Sequence, residues 1–402
     1  MRKNVYSQKS TSLKTIHYAI ILLFTFFGPS ESHAQGHGTS AIPGEKVKFS
    51  IIGGPGFNPD MGFLLGGDAV LTFSTDSKDT LLRRSVIPLA MAYFFRGGGL
   101  LNVRPQIFFP KDRVRIFGVL SYLNVIDNYY GVGFDTNGDR PRGEFSTEHR
   151  LINTRINPIV LFRWADSDFF WGGGVSLLHS QINDPSQGVF EDLAFLEQGG
   201  TEEGIDFFNS GLAIRLNYDT RDVPANAFSG LLLEFNATFY ESAFGSDNNY
   251  GVYSLAYRQY QRLKALGEKK VLAWTVNTRV TSGDVPLTDL STLGSAFDLR
   301  GYYAGQYRDR HTAFAMVEYR HGFEFGRPNK FVGWLSKTGF VVWSGVGTVS
   351  EGFNSEAEGG ILPNFGAGLR VQLQPRINFR VDVGHDPLNT QTLVYLNVTE
   401  AF

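Results

Sequence analysis

The residues best placed to form a chemically specific site are an arginine and a glutamate. Arg300 lies in Leu299-Arg300-Gly301-Tyr302, inside the longest connection between predicted strands, and Glu318 lies in the strand that follows. A buried guanidinium is costly unless it is paired, and its planar fork suits a carboxylate. Gly301 permits a tight backbone turn beside it. We therefore predict an Arg300–Glu318 ion pair that holds this loop inside the protein; the alternative is a solvated outer loop.

Catalytic chemistry is not indicated elsewhere in the sequence. There is no cysteine, which excludes disulfides, zinc–thiolate sites, cysteine nucleophiles and an acylated lipoprotein cysteine. No Gly-x-Ser-x-Gly, His-Glu-x-x-His or phosphate-binding motif occurs, and the histidines are scattered without nearby partners. We therefore predict that the protein is not an enzyme and has no catalytic residue, no cofactor and no metal ion.

Two polar stretches raise the question of calcium. Asp135, Asn137 and Asp139 resemble the start of a calcium-binding loop, but Arg140 stands at the glycine position and no glutamate follows at position twelve. Residues 184–206 are strongly acidic. Both stretches are interpreted as solvated outer loops, with divalent-ion bridging or a basic partner as the alternatives for the second.

The composition favours a protein with one apolar and one wet face. The chain of 402 residues contains 46 glycines, 35 phenylalanines and 17 tyrosines, and 14% of its residues are aromatic. Its mean hydropathy is nevertheless −0.13. This combination suits a membrane β-barrel, which needs apolar residues only on the lipid face. The formal net charge is −2, and residues 1–34 carry +3, so the remainder carries −5 and offers no basis for nucleic-acid binding.

Alternation with a period of two predicts the strands. In residues 376–384, isoleucine, phenylalanine and two valines share one face, while Asn378, Arg380 and Asp382 share the other. Similar segments of about ten to fourteen residues recur, the length that a tilted strand needs to cross a membrane. A soluble sandwich would have strands of about five or six residues. Sixteen strands are predicted: 46–53, 62–74, 84–95, 99–109, 112–124, 148–163, 168–180, 206–219, 228–241, 249–262, 271–282, 311–325, 334–349, 361–373, 376–385 and 393–402.

The connections support an all-β, transmembrane antiparallel barrel of about 16 strands. Short connections at 164–167, 263–270 and 374–375 alternate with long ones at 125–147, 181–205 and 283–310. Barrels of this type have short periplasmic turns and longer outer loops, so the alternation requires an even number of strands with both termini in the periplasm. The predicted location is the bacterial cell outer membrane, with its lipids as neighbours.

The N-terminus has the pattern of an export signal. Basic residues precede an apolar run of ten residues, 18–27, which is too short for a membrane-spanning helix, and Ser32-His33-Ala34 places small residues before a cleavage point. The predicted organisation is a signal peptide at 1–34, a short periplasmic segment at 35–45 and an outer-membrane barrel at 46–402.

The last predicted strand resembles the assembly signal of outer-membrane barrels. Val394, Leu396 and Val398 point to one side, and an aromatic residue, Phe402, follows in the same register. Glu400 departs from that apolar pattern.

Three patches in order resemble the BamA/TamA-type outer-membrane assembly-factor family. Tyr218-Asp219-Thr220-Arg221-Asp222, followed by Gly230, looks like the family's Tyr-Asp-x-Arg-Asp turn at the periplasmic rim. Leu299-Arg300-Gly301-Tyr302 looks like the tip of the family's lumen loop, and Glu318 occupies the place of the glutamate that faces the tip arginine. The resemblance implies a barrel whose long loop folds back into the lumen.

Two departures from the family pattern qualify the expectation. Gly345 stands where related barrels have an aspartate that also meets the arginine, which leaves Asp382 as a substitute partner. Only about eleven residues, 35–45, precede the first strand, whereas family members usually carry POTRA modules there. The chain therefore resembles a short branch lacking these modules, which would depend on partner proteins to collect clients.

The resemblance implies a role in outer-membrane protein assembly, insertion or translocation, with other assembly proteins or client barrels as partners. The implied mechanism is a weak seam between the first and last strands. The alternatives are a passive pore or transporter that inherited the fold, and a structural subunit of an outer-membrane complex.

Overall fold

A computed structural model describes residues 47–79, 82–135, 140–325, 329–352, 360–374, 376–398 and 400–402. The predicted signal peptide at 1–34, the segment at 35–45, and Asn137 and Asp139 of the calcium-like stretch lie outside the described residues.

Long antiparallel strands make up most of the described chain, with a few short helices in the connections. The strands are β1 (Val47–Asn58), β2 (Gly62–Phe73), β3 (Ser85–Phe94), β4 (Gly98–Val103), β5 (Gln106–Phe108), β6 (Val114–Asn128), β7 (Glu148–Arg163), β8 (Phe169–Asn183), β9 (Gly204–Asp219), β10 (Gly230–Tyr240), β11 (Tyr250–Arg262), β12 (Lys270–Gly283), β13 (Ser291–Leu293), β14 (Tyr307–Asp309), β15 (His311–Gly322), β16 (Thr338–Ser350), β17 (Leu362–Gln374), β18 (Ile377–Asp386) and β19 (Gln391–Val398). The α-helices are α1 (Gln187–Phe190), α2 (Leu193–Glu197) and α3 (Lys330–Leu335), and short 3-10 turns occur at Pro110–Asp112, Ser242–Phe244 and Leu287–Asp289.

The described strands form a barrel of sixteen, as predicted. β4 and β5 both pair with β3 and with β6, so they are two parts of one barrel strand. The interruption falls at Arg104-Pro105, where proline has no N–H to donate to a ladder. β13 and β14 pair only with each other among the described strands, as a small hairpin inside the connection between β12 and β15. The remaining strands pair antiparallel with their neighbours in sequence.

The two faces of each strand meet different surroundings. In β9, Leu212, Ile214 and Leu216 are 47%, 48% and 37% exposed and face lipid, whereas Ala213 and Asn217 on the opposite face are buried. Because successive side chains of a strand point to opposite faces, the apolar set covers the outside of the barrel and the polar set lines the lumen. Among the described residues, no helix combines the length and the apolar character needed to span a bilayer.

The end of the barrel at which β1 begins and β19 ends is called the periplasmic end below, following the predicted orientation. Connections at the opposite, outer end include residues 129–147, residues 184–203 with α1 and α2, and residues 284–310, which we call the lumen loop. The connections at the periplasmic end are mostly shorter, and that between β9 and β10 covers residues 220–229.

The last strand differs from the prediction. β19 ends at Val398 rather than at 402, and Glu400, Ala401 and Phe402 are buried at the periplasmic end of the lumen. Within β19, Val394 is 43% exposed on the lipid face, as the alternation predicts, and Tyr395 is buried on the lumen face. The physical reason for the departure is electrostatic: arginines of the lumen wall bind Glu400 and the backbone of Phe402.

Candidate functional site

The tip of the lumen loop is fixed by a fully buried arginine. Arg300 Nη1 donates to Asp382 Oδ2 of β18 at 2.9 Å, and Nη2 donates to Glu318 of β15. None of the three side chains is exposed, and the guanidinium carbon lies 3.6 Å from the ring centroid of Trp343. The structure therefore brings Arg300 together with both of its predicted partners, Glu318 and Asp382.

Three further arginines also bind these two carboxylates. Arg370 and Arg380 donate to Asp382 at 2.5 and 2.7 Å, and Arg320 donates to the second oxygen of Glu318 at 2.9 Å. A buried carboxylate is costly unless its oxygens accept hydrogen bonds from charged partners. Each carboxylate therefore binds more than one guanidinium, and the loop tip is firmly attached to the barrel wall.

Gly345 stands where related barrels have an aspartate, and its packing explains why Asp382 binds Arg300 instead. A Cβ atom on Gly345 of β16 would lie 2.4 Å from the Met316 side chain and 2.7 Å from Asn364 Oδ1. It would also lie 2.9 Å from the Ala315 carbonyl oxygen, so an aspartate does not fit here unless the backbone of β15 moves as well. Asn364 instead donates to the Arg300 carbonyl oxygen at 3.0 Å.

The backbone of the tip depends on Gly301. Its φ is +122°, and a Cβ atom there would lie 2.8 Å from the backbone nitrogen of Asp386. Its N–H donates to the Tyr395 hydroxyl of β19 at 3.0 Å, and that hydroxyl donates to the Tyr302 carbonyl oxygen at 3.0 Å. Tyr302 and Leu299 are both fully buried in the same apolar cluster.

A second anchor of the lumen loop had no sequence signal. Asp289, in the 3-10 turn at the start of the loop, accepts hydrogen bonds from Arg279 at 2.9 Å, Arg155 at 3.2 Å and the Tyr250 hydroxyl at 3.0 Å. Its three partners come from β12, β7 and β11, on the other side of the lumen from Asp382. A single aspartate in a polar loop has no spacing pattern that could mark it as buried.

A third contact joins the lumen loop to the first hairpin. Asp60, in the turn between β1 and β2, is 5% exposed and accepts the Ala304 N–H at 2.9 Å. Arg142 donates to the Pro59 carbonyl oxygen at 2.9 Å and to that of Asp60, and it lies over the Tyr303 ring at 4.4 Å. Burial raises the pKa of the Asp60 carboxyl from 3.8 to about 6. We call this group of residues the outer clasp.

The seam between the first and last strands is the weakest junction in the described wall. Cα atoms of β1 and β19 come within 8 Å of one another, but among the described residues no ladder of backbone pairs joins them. Gly53, Gly54 and Pro55 lie within β1. Glycine weakens a strand and proline lacks a donor, so this part of β1 is poorly suited to close the sheet.

The lumen loop lies against both sides of this seam. Its residues 301 and 302 bond to Tyr395 of β19, and Ala304 bonds to Asp60 in the turn that follows β1. One short stretch of loop backbone is therefore bound to β19 on one side of the seam and to the β1–β2 turn on the other.

The predicted periplasmic turn motif forms a compact set of bonds. Arg221 donates from Nε and Nη2 to the two carboxylate oxygens of Asp219, at 2.9 and 3.0 Å. Gly230 has a φ of +95°, and a Cβ atom there would lie 2.2 Å from the Thr220 carbonyl oxygen. Tyr218 is part of β9, where it pairs with Phe169 of β8.

The same turn also reaches another part of the periplasmic rim. One oxygen of Asp222 accepts the Phe228 N–H at 2.9 Å, and the other accepts Arg376 Nη2 at 3.0 Å. Arg376 comes from the turn between β17 and β18, and its guanidinium also lies 3.6 Å from the centroid of the Phe228 ring. The motif therefore links two separate turns as well as shaping its own.

Comparison with known protein families gives a match to the Omp85 superfamily domain over residues 131–392, which include the turn motif, the lumen loop and both carboxylates that bind Arg300. The chain belongs to the Omp85 superfamily. No curated protein matches the sequence. The Omp85 assignment agrees with the outer-membrane location and with the family resemblance predicted from the motifs.

Solved structures share the fold at low sequence identity. This Omp85 protein is similar to BamA from Haemophilus ducreyi lacking POTRA domains 1–3, with a TM-score of 0.60 and 14% identity over 89% of this chain and 70% of that one. It is similar to CdiB from Escherichia coli, with a TM-score of 0.57 and 11% identity over 89% of this chain and 63% of that one. It is also similar to CdiB from Acinetobacter baumannii, with a TM-score of 0.51 and 12% identity over 88% of this chain and 60% of that one. The Omp85 chain thus spans less than two thirds of either CdiB protein.

Proposed function

We propose that this outer-membrane barrel assists the insertion or translocation of other outer-membrane proteins, through the seam between β1 and β19 and together with partner proteins. The observation that carries the proposal is the seam itself. Other neighbouring barrel strands are joined by ladders of paired residues, such as the fifteen positions between β6 and β7, whereas the described parts of β1 and β19 approach without one.

An unpaired strand edge is a template for another strand. Its N–H and C=O groups can form hydrogen bonds with an extended segment of a second chain, so that the segment adds to the sheet. In water such an edge is a hazard, but in a membrane protein it provides a place where a client strand can begin to pair. The loop contacts at Asp60 and Tyr395 would keep the two edges close together until a client arrives.

The direct test is an insertion assay with a locked seam. The protein is reconstituted in liposomes, a urea-unfolded outer-membrane barrel is added, and the folded fraction of that client is followed by its heat-dependent gel mobility. We expect faster client folding than in empty liposomes. The chain has no cysteine, so one cysteine in β1 and one in β19 can form a single disulfide across the seam.

The locked protein should lose the acceleration under oxidising conditions and regain it after reduction. The matched control is a cysteine pair at Val175 and Leu212, partners in the continuous β8–β9 ladder, where a disulfide should leave the acceleration unchanged. Equal activity of the seam-locked and reduced proteins would contradict a function at the seam.

Partners are tested by affinity purification of the tagged protein from native outer membranes in mild detergent, followed by mass spectrometry. Recovery of an assembly factor, or of several unrelated barrel precursors, supports a role in biogenesis. Recovery of the protein alone, as a heat-resistant folded barrel, favours a pore or a dedicated exporter.

A passive pore is the second candidate, because the lumen is not completely filled. A cavity of about 470 Å³ lies beside the lumen loop, between Asp289 and the inner faces of β10, β11 and β12. Polar side chains line it, including Arg155, Asn236, Ser254 and Arg279. Conductance in planar bilayers separates the two functions: a pore gives steady open channels, and a barrel held by its loop gives small, flickering ones.

A further inference from the structure

The segment Glu400–Phe402 occupies a pocket that is built for it at the periplasmic end of the lumen. All three residues are buried, although they follow a strand on the barrel wall. Glu400 is the residue that departs from the apolar pattern of an assembly signal. Its position suggests that the segment has a role beyond marking the end of β19.

Two side chains of the wall receive the Glu400 carboxylate. Arg370 Nε of β17 donates to Oε2 at 2.8 Å, and Asn378 Nδ2 of β18 donates to Oε1 at 2.8 Å. Each carboxylate oxygen therefore has its own donor, and the two donors come from adjacent strands. Charge-assisted bonds of this kind are about twice as strong as neutral ones.

A second group receives Phe402, two residues later. Arg320 Nη2 of β15 donates to the Phe402 carbonyl oxygen at 2.9 Å, and its guanidinium lies 5.1 Å from the centroid of the Phe402 ring. The ring also lies 6.3 Å from that of Tyr260 in β11. The pocket thus recognises a carboxylate and, two positions further, an aromatic ring.

More positively charged side chains surround Glu400–Phe402 than the Glu400 carboxylate alone can neutralise. A cavity of about 190 Å³ adjoins it, and the described residues that line it include Lys269, Lys337 and Arg376 as well as Arg320 and Arg370, with Glu400 as the one acidic residue among them. In the described part of the chain, Nη1 of Arg320 and Nη2 of Arg370 are buried without a hydrogen-bond partner. The site therefore has unused donors for an anionic ligand.

The pocket is connected to the tip of the lumen loop by two short chains of bonds. Arg320 bonds both to Phe402 and to Glu318, and Glu318 bonds to Arg300. Arg370 bonds both to Glu400 and to Asp382, which also bonds to Arg300. Each acidic partner of Arg300 thus shares an arginine with the segment.

We propose that this pocket is a binding site for peptide segments that carry an acidic residue two positions before an aromatic one, and that Glu400–Phe402 is an internal ligand which such a peptide displaces from the periplasmic side. The site lies in the lumen wall of β15, β17 and β18, so its function does not require the seam to open.

The test uses the full chain in detergent micelles and a fluorescent peptide with the sequence of residues 396–402. Fluorescence anisotropy measures its binding to the full chain, to a chain lacking residues 400–402, and to full-length Glu400→Gln. We expect binding about ten-fold tighter to the truncated chain than to the full chain, with the Glu400→Gln variant between them, because weakening the charge-assisted bonds of the internal ligand favours the competing peptide. Heat-dependent gel mobility establishes that every variant is folded.

Two controls identify where the peptide binds. A peptide with glutamine in place of its glutamate, and the truncated chain with Asn378→Ala, should each weaken binding about ten-fold. A seam-locking disulfide should leave binding unchanged, so failure of the seam mechanism would not remove this result. Equal binding to the full and truncated chains, equal binding of both peptides, or no binding to the folded Glu400→Gln and truncated proteins would overturn the proposal.

Discussion

At the scale of single residues, buried charged side chains hold the lumen loop in place. Arg300 has no exposed surface, and its stability depends on Glu318, Asp382 and the ring of Trp343. Removing Arg300 would leave both carboxylates with other arginine partners, but it would remove the two charge-assisted bonds that attach the loop tip to β15 and β18. The cluster therefore fixes the loop tip, because any position in which one of these charged groups loses its partners is unfavourable.

Replacing Arg300 with alanine should strongly lower the stability of the folded barrel. Glu318 and Asp382 would each lose one hydrogen bond from a charged partner, and two such bonds give an expected cost of about 3–6 kcal/mol. The measurement is the temperature at which the folded gel band converts to the unfolded one. Arg104→Ala, at an exposed arginine that bonds to Asn102, serves as the control and should change this temperature little. An unchanged conversion temperature for Arg300→Ala would count against the buried cluster.

Asp60 should make barrel stability depend on pH. Its pKa is about 6 in the folded protein and 3.8 as the ordinary value, so folding favours its protonated form. The resulting stabilisation is fully present below pH 3.8 and is lost as the pH rises through 6. Asp60→Asn, which keeps an oxygen to accept the Ala304 N–H, should be more stable than the native protein at pH 7.5, by up to about 3 kcal/mol.

The stability of Asp60→Asn and of the native protein should also be compared at pH 5. The advantage of Asp60→Asn should shrink as the native carboxyl takes up its proton, while Arg142, Asp127 and Tyr130, which also act on Asp60, stay unchanged in both proteins. Gel-conversion temperatures at both pH values measure the effect. A constant difference between the two proteins would show that Asp60 does not titrate in this range.

At the scale of elements, the lumen loop takes the place of the missing ladder at the seam. Its backbone at 301–304 is bound to Tyr395 of β19 and to Asp60 beyond β1. The described strands on either side are thus joined through a third element instead of directly. Such a junction can be released by moving the loop, without breaking a continuous row of backbone bonds.

Asp60→Ala should loosen the outer end of this junction. Relative to Asp60→Asn, which removes the same charge but keeps an acceptor, it leaves the Ala304 N–H unpaired, at a cost of about 1–3 kcal/mol. Hydrogen exchange followed by mass spectrometry should then show faster exchange in β1 and β19, with little change in the β8–β9 pair. Asp76→Ala, in the β2–β3 connection, where the carboxylate accepts the Lys78 N–H, is the matched control. Equal exchange in the Asp60 and Asp76 variants would remove the outer clasp from the mechanism.

The sequence predicted most of the strands because each carries its own alternation. It also predicted the Arg300–Glu318–Asp382 group, since the tetrapeptide, the following strand and the missing aspartate at Gly345 point to the same place. It did not predict the contacts of Asp289 and Asp60. Both are single aspartates in loops, and their burial depends on where distant strands place them.

The alternation of apolar and polar residues could not predict where β19 ends. Alternation through Val394, Leu396 and Val398 continues in phase to Phe402, so the periodicity alone extends the strand. The structure departs because Arg320 and Arg370, far earlier in the chain, attract Glu400 and Phe402 inward. Period-two patterns record which face a side chain prefers, and they contain no information on where an arginine of another strand will lie.

At the scale of the whole molecule, the loop should control conduction through the barrel. The wild-type protein should give small, flickering currents in planar bilayers, because the loop tip is bound to the wall at Glu318 and Asp382. Arg300→Ala should give larger and longer openings, since the tip loses both bonds while the cavity beside Asp289 remains. Identical currents from the two folded proteins would mean that the tip does not limit the path.

The bonds of the lumen loop also set an order of events during folding. Arg300 needs Asp382, Gly301 needs Tyr395, and Ala304 needs Asp60, which lies 244 residues earlier in the chain. Contacts between such distant residues form late, because the entropy of closing long loops must first be overcome. Arg300 can meet Glu318 of β15 early, but the loop tip cannot complete its bonds until β18 and β19 have arrived. Filling of the interior and meeting of the two wall edges are therefore one cooperative step, and a barrel interrupted before that step would have an incompletely bonded loop tip and an open side at the same time.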